Sequence, residues 1–229
     1  LKFSLSKISQ ALTYGIGALI VLHLLEHFCV LTLGHDYMMG LRGEFDLDGE
    51  NNIPTLFSFG LFMFAVVLLS VIALDHGKKR SAFVRHWMGL AVVFGFLALD
   101  EVCSIHEGWA EPLRTTLKTS GFFYYIWQLP YAVVLGLTGI FYLSFFKVLP
   151  KQTRGWMIVA ASLYLTGVGL MEFLGGWYTS VMGKQGDIIY MFLVAVEETL
   201  EMCGLAVFIY ALLRYIQKEI GPINIELEN

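Results

Sequence analysis

Seven carboxylates lie inside apolar stretches of this chain, with no lysine or arginine among them: Glu26, Asp100, Glu101, Glu172, Glu197, Glu198 and Glu201. Two histidines, His23 and His27, share the first of those stretches. An ionised acid at the centre of a bilayer costs ~2.5 kcal/mol or more on insertion scales. Like charges held close together oppose each other's ionisation. Protons, metal cations or a water-filled cavity must compensate. Carboxylates and imidazoles aimed inward from several helices are how di-metal centres are built in helix bundles. Such oxygen and nitrogen ligands suit iron, manganese or zinc. The expectation is therefore one or two divalent ions, with His23, His27, Glu101, Glu172, Glu197 and Glu201 as ligands. Glu26, Asp100 and Glu198 are expected beside them as orienting groups or proton shuttles in catalysis.

The spacing lets each helix present several ligands. His23 and His27 are four residues apart and stack on one helix face, with Glu26 beside them. Asp100, Ser104 and Glu107 share a face, as do Glu197 and Glu201, with Glu198 about 100° round from Glu197. His23-x-x-Glu26-His27 has the bare pattern of the inverted zinc-protease motif. It reverses the Glu-x-x-His of di-iron bundles, and no Glu-x-x-His repeats on two helices. Plainer readings stand beside these. Glu172 can bond a neighbouring helix and do nothing else. His106, Glu107 and Asp187 can be solvated helix ends, and Asp75, His76 and His86 mark an inner boundary.

The elements that must position these groups are membrane spans. Of 229 residues, 57% are hydrophobic and 15% charged, too little polar surface for a soluble domain of this size. Six segments approach the ~20 apolar residues that a crossing needs: 8–34, 54–75, 86–108, 121–148, 156–178 and 188–214. The fold class is an all-α polytopic membrane bundle forming a single transmembrane domain, 1–229. The first segment is too long for a signal-peptide core and lacks an A-x-A cleavage site, so it reads as a retained helix. Lys2, Lys7, Lys78, Lys79, Arg80, Arg85, Lys147, Lys151, Arg154, Arg214 and Lys218 fall on one side of this topology. Only Arg42, Arg114, Lys118 and Lys184 fall on the other. Both termini are therefore expected to be cytoplasmic, with Trp87 and Trp156 at the inner interface and Trp109, Trp127 and Trp177 at the outer one. On this frame His27, Glu101 and Glu172 sit roughly 9–12 Å below the outer boundary, and Glu197, Glu198 and His23 roughly 14–17 Å below it. One slab in the outer half of the bilayer collects them all.

Cys29, Cys103 and Cys203 lie in apolar runs without the spacing of a disulfide framework. No basic face points to nucleic acid. In the first outer loop, Asp46-x-Asp48-Gly49-x-Asn51 is a fragment of a calcium loop lacking the terminal bidentate Glu. It reads either as a calcium site or as a tight acidic turn into the second helix.

Two stretches, Leu99-Asp100-Glu101-Val102-Cys103-Ser104-Ile105-His106-Glu107 and Phe45-Asp46-Leu47-Asp48-Gly49-Glu50-Asn51-Asn52-Ile53-Pro54, resemble those of uncharacterised multi-pass bacterial inner-membrane proteins. The resemblance extends from the first outer loop to the last helix. It implies a bacterial inner-membrane setting and assigns no activity. The function expected from the residues is a metal-dependent membrane enzyme, di-iron or zinc, an oxidoreductase or hydrolase acting on a lipophilic substrate. The competing readings are a cation or proton carrier and an accessory subunit of a larger membrane complex, with lipids and other membrane subunits as partners.

Overall fold

The protein is described by a computed structural model covering residues 4–34, 41, 43–183 and 187–221. Lys2, Arg42 and Lys184, three of the cations that set the expected orientation, lie outside the described residues. Among the described residues there is no strand. The helices are α1 (Leu5–Leu33), α2 (Ile53–Lys78), α3 (Val84–Cys103), α4 (Ile105–Leu117), α5 (Gln128–Val148), α6 (Lys151–Leu165), α7 (Glu172–Met182) and α8 (Ile188–Tyr215). A 3-10 turn spans Gly121–Phe123, and π turns span Thr166–Met171 and Ile216–Ile220.

Local chemistry sets the helix ends. Gly34 takes a left-handed conformation (φ 63°) after α1 and returns its N–H to the Cys29 carbonyl, a glycine stop. The Asn52 side chain accepts the Thr55 N–H at the start of α2, with Pro54 in the first turn where its missing N–H costs nothing. Asp187 accepts the N–H groups of Ile189 and Tyr190 at the start of α8.

Among the described residues, five helices are long and apolar enough to cross a membrane: α1, α2, α3, α5, and the continuous run Lys151–Met182 formed by α6, its π turn and α7. α8 is as long at 28 residues but carries Glu197, Glu198 and Glu201 at its centre. It packs against α1, α2, α6 and α7. Its Met202, Ile209, Ala211 and Leu212 have no exposed surface. The helices around it show the opposite pattern. Val21, Leu25, Phe28 and Leu31 of α1 and Val133, Val134, Leu137, Ile140 and Phe141 of α5 are exposed apolar side chains. Apolar patches of that extent fit lipid contact far better than water.

The expected boundaries shift where tertiary contacts intervene. The segment 86–108 is not one helix: Ser104 adopts a left-handed conformation (φ 49°), α3 stops at Cys103, and α4 departs with no buried residue. The break frees amide groups at the start of α4, and Asp100 Oδ1 accepts that of His106 at 3.0 Å. The segment 121–148 becomes helical only at Gln128. The segment 156–178 lengthens at both ends to 151–182 and contains the π turn. At that turn α6 and α8 nearly touch. A Cβ on Gly204 would lie 2.8 Å from the Tyr164 N atom and 3.0 Å from the Ala160 carbonyl oxygen, and one on Gly167 2.8 Å from the Glu197 carbonyl oxygen. Small residues permit this approach.

Candidate metal-binding cavity

A cavity of about 360 Å³ opens among α4, α7, the first half of α8 and the loop between α1 and α2. Its walls include Asp48 and Glu50 from the loop, His106, Glu107, Glu111 and Arg114 from α4, Glu172 from α7, and Tyr190, Glu197 and Glu198 from α8. The Arg114 guanidinium is already engaged, paired with Glu111 and lying 4.1 Å from the centre of the Tyr124 ring.

His106 is the most tightly oriented of these groups. Its Nδ1 lies 3.1 Å from Asp100 Oδ2, while Asp100 Oδ1 accepts both the His106 N–H and the Tyr131 hydroxyl (2.7 Å). With the Nδ1 proton assigned to Asp100, Nε2 carries the lone pair. A carboxylate behind a histidine in this way is how metal-ligating imidazoles are commonly held. Burial works against protonation of His106, but the Asp100 hydrogen bond and charge outweigh it, and its pKa is raised. Ligand atoms of Glu50, His106 and Glu107 all lie within 4.8 Å of one another. Burial, followed by the Glu107 charge, pushes the Glu50 carboxyl up. Asp48 lines the cavity with part of its surface open to solvent. Burial raises its pKa even though the Tyr190 hydroxyl donates to it at 2.9 Å.

Deeper in, the Trp127 Nε1–H donates to Glu172 Oε1 at 3.3 Å, and the carboxyl of buried Glu197 lies beside that of Glu172. Two carboxyl groups so placed need a proton or a cation between them. Glu198 also lines the cavity. Behind it stand Glu101, beside the Ser58 hydroxyl, and Glu201, beside Tyr164.

The expected ligands thus divide. The cavity gathers Glu172, Glu197 and Glu198, with Glu101 and Glu201 behind Glu198 and outside its lining. His23 and His27 form a separate group whose third member is Asp46, with ligand atoms of all three within 4.8 Å of one another. His23 is fully buried; its Nδ1 is 3.1 Å from the Leu47 amide nitrogen and 3.4 Å from Asp46 Oδ1, and its Nε2 has no hydrogen-bond partner. Burial opposes ionisation of Asp46, but the His23 contact, the Asp48 N–H and the neighbouring imidazole charges together hold its pKa below the ordinary value. Glu26 is occupied by the loop backbone, accepting the N–H groups of Gly43 and Phe45. Asp46 Oδ1 accepts the Asp48 N–H at 3.1 Å, the Asx-type turn read from the sequence. Their carboxylates turn to different partners, Asp46 to His23 and Asp48 to Tyr190.

Sequence reasoning passed over Tyr131, Tyr164 and Tyr190, and left open whether His106 and Glu107 are solvated ends; His106 is half-buried and Glu107 exposed. Tyr190 was legible, since seven residues before Glu197 is two turns along the same face. The Asp100–His106 pair was not. On an unbroken helix residues six apart point about 120° away from each other, and only the turn at Ser104 brings these two together.

No curated protein and no solved structure matches the chain. The described helices, apart from the first turns of α1, fall within a single family match over residues 13–216, whose description is Domain of unknown function (DUF8692), and the chain belongs to that family.

Proposed function

We propose that this protein is a multi-pass membrane metalloenzyme whose reaction takes place in the acidic cavity. The observation that carries the reading is His106, held by Asp100 with its Nε2 lone pair available, next to Glu50 and Glu107 on a cavity that also contains the Glu172–Glu197 carboxyl pair. His106, Glu50 and Glu107 would hold one ion of zinc, iron or manganese. The deeper carboxylates provide room for a second. In this reading α8 is the sixth span, both termini are cytoplasmic, and the cavity faces the outside of a bacterial inner membrane. The substrate is lipophilic and enters from the bilayer.

Hydrolysis is the chemistry these residues complete by themselves. A metal ion held there would polarise water, and Glu198 or the Glu172–Glu197 pair would be placed to take its proton. Oxidation would require an electron donor as well. A through-path for ions or protons is less well supported, because the polar chain ends at Glu201 and Tyr164. Past Gly204 the centre of the bundle is Phe208, Ile209 and Leu212, all buried and apolar.

The test is elemental analysis of protein purified in mild detergent without chelator, beside an E50Q/H106A variant. One or two equivalents of a transition metal in the native chain, reduced in the variant, supports the reading. Absence of stoichiometric metal from the native chain overturns it.

A further inference from the structure

His23 has no proton assignment that satisfies its surroundings. If Nδ1 accepts the Leu47 N–H at 3.1 Å, it presents a lone pair to the Asp46 carboxylate 3.4 Å away, and a protonated Nε2 is left in a site with no exposed surface and no acceptor. If Nδ1 instead carries the proton and faces Asp46, the Leu47 N–H loses its acceptor and the Nε2 lone pair is bare. A buried polar atom left without a partner is costly, and native structures rarely tolerate one without a reason. His27 stands alongside, its ring centre 4.4 Å from that of His23. Its Nδ1 is occupied at 3.2 Å by the His23 carbonyl, which leaves Nε2 as the free nitrogen. A cation bound at Nε2 relieves most of the conflict: the imidazole then keeps its single proton on Nδ1, facing the Asp46 carboxylate, and the buried Nε2 lone pair gains a partner, so that only the Leu47 N–H must find another acceptor.

We propose that His23, His27 and Asp46 bind a zinc-type divalent cation in a site separate from the cavity, and that this ion fastens the loop between α1 and α2 to the end of α1. Two imidazoles and one carboxylate select a borderline transition-metal ion over calcium or magnesium, and three protein ligands leave one position for water. The loop is already drawn to α1 by Glu26, which accepts the Gly43 and Phe45 amides. Leu47, next to Asp46, is inserted in the core. Asp48 and Glu50, two and four residues further on, line the cavity. The ion therefore sets the position of the cavity's loop wall without touching the cavity.

Cobalt(II) absorption titration and hydrogen exchange read by mass spectrometry, both in detergent, test this. Native protein should bind cobalt with imidazole-ligated visible bands, and zinc should slow exchange at the Phe45 and Leu47 amides at least tenfold. D46N and H27Q should each weaken that binding at least tenfold and abolish the zinc-dependent protection, while E50Q/H106A keeps both. Protection lost in E50Q/H106A and kept in D46N and H27Q would place the ion in the cavity and overturn the proposal. Native exchange that is indifferent to zinc would also overturn it, whatever the folding state of the variants. A cavity that binds no metal while the loop still responds to zinc would sink the enzyme reading alone.

Discussion

Asp100 and His106 show how much one buried carboxylate can organise. Asp100 accepts the His106 amide in the first turn of α4, orients the imidazole and holds Tyr131. Replacing it by asparagine leaves the shape but removes the negative charge that fixes the Nδ1 proton. D100N is expected to weaken metal binding in the cavity 10- to 100-fold, in line with losses of such supporting groups elsewhere. Y131F should cost far less, about 1 kcal/mol for one hydrogen bond. Zinc competition against a chromophoric chelator measures both. Asp48, Glu50 and His106 also give the metal-free protein a definite pH response. All three have raised pKa values in the fold, so the folded state holds protons that the unfolded chain releases. Stability therefore falls as pH rises, starting from the ordinary values of 3.8 for Asp48, 4.5 for Glu50 and 6.5 for His106. Asp46 shifts the other way, and its contribution is lost only as pH drops below 3.8. Thermal unfolding of chelator-treated protein should show a Tm that declines from mildly acidic to neutral pH, with D48N and E50Q flattening the acidic part. A Tm that climbs over that range would contradict these shifts. At this scale the sequence made the residue types plain but not their partners. Asp46 meets His23 across 23 positions of chain, and no periodicity encodes that distance.

Helices α6 and α8 approach each other on glycine. The Cβ of G204A would meet the Tyr164 amide nitrogen and the Ala160 carbonyl, backbone atoms that cannot swing aside. Overpacking of this kind typically costs 1–3 kcal/mol, and G204A should lower the Tm in detergent accordingly. G139A on α5, where nothing lies within 4 Å of the added carbon, should leave it nearly unchanged. Equal behaviour of the two would show that the close packing does not contribute to stability. The existence of these elements was legible, because long apolar runs have few alternatives. Their ends were less so. The stop at Ser104 depends on a side chain four residues earlier that caps the next helix, and a composition window sees only an uninterrupted apolar-to-polar gradient there. The π turn at Thr166–Met171 was not read from the sequence, although Gly167 and Gly169 stand in it and Gly167 lies directly against α8.

Across the whole molecule, the apolar exterior and acidic interior invert the arrangement of a soluble protein, and composition alone exposed this. What composition left open was which helix stands at the centre. α8 holds that place because its acids can be tolerated only where other helices surround them. The proposed orientation predicts a labelling pattern. In a chain whose three cysteines are changed to serine, E44C and E111C should react with a membrane-impermeant maleimide in intact cells, and R154C only after permeabilisation. The reverse pattern would turn the cavity toward the cytoplasm. One dimension carries a separate consequence. The Lys151–Met182 run has 32 residues, about 48 Å of helix, against ~30 Å of hydrocarbon. The surplus is taken up by tilt or by ends that project from the bilayer, each at a fraction of a kcal/mol per Å. Because Glu172 follows the midpoint of that run, lipid thickness bears on how α7 sits against α8, and acyl-chain length becomes a variable in any assay of the reconstituted protein.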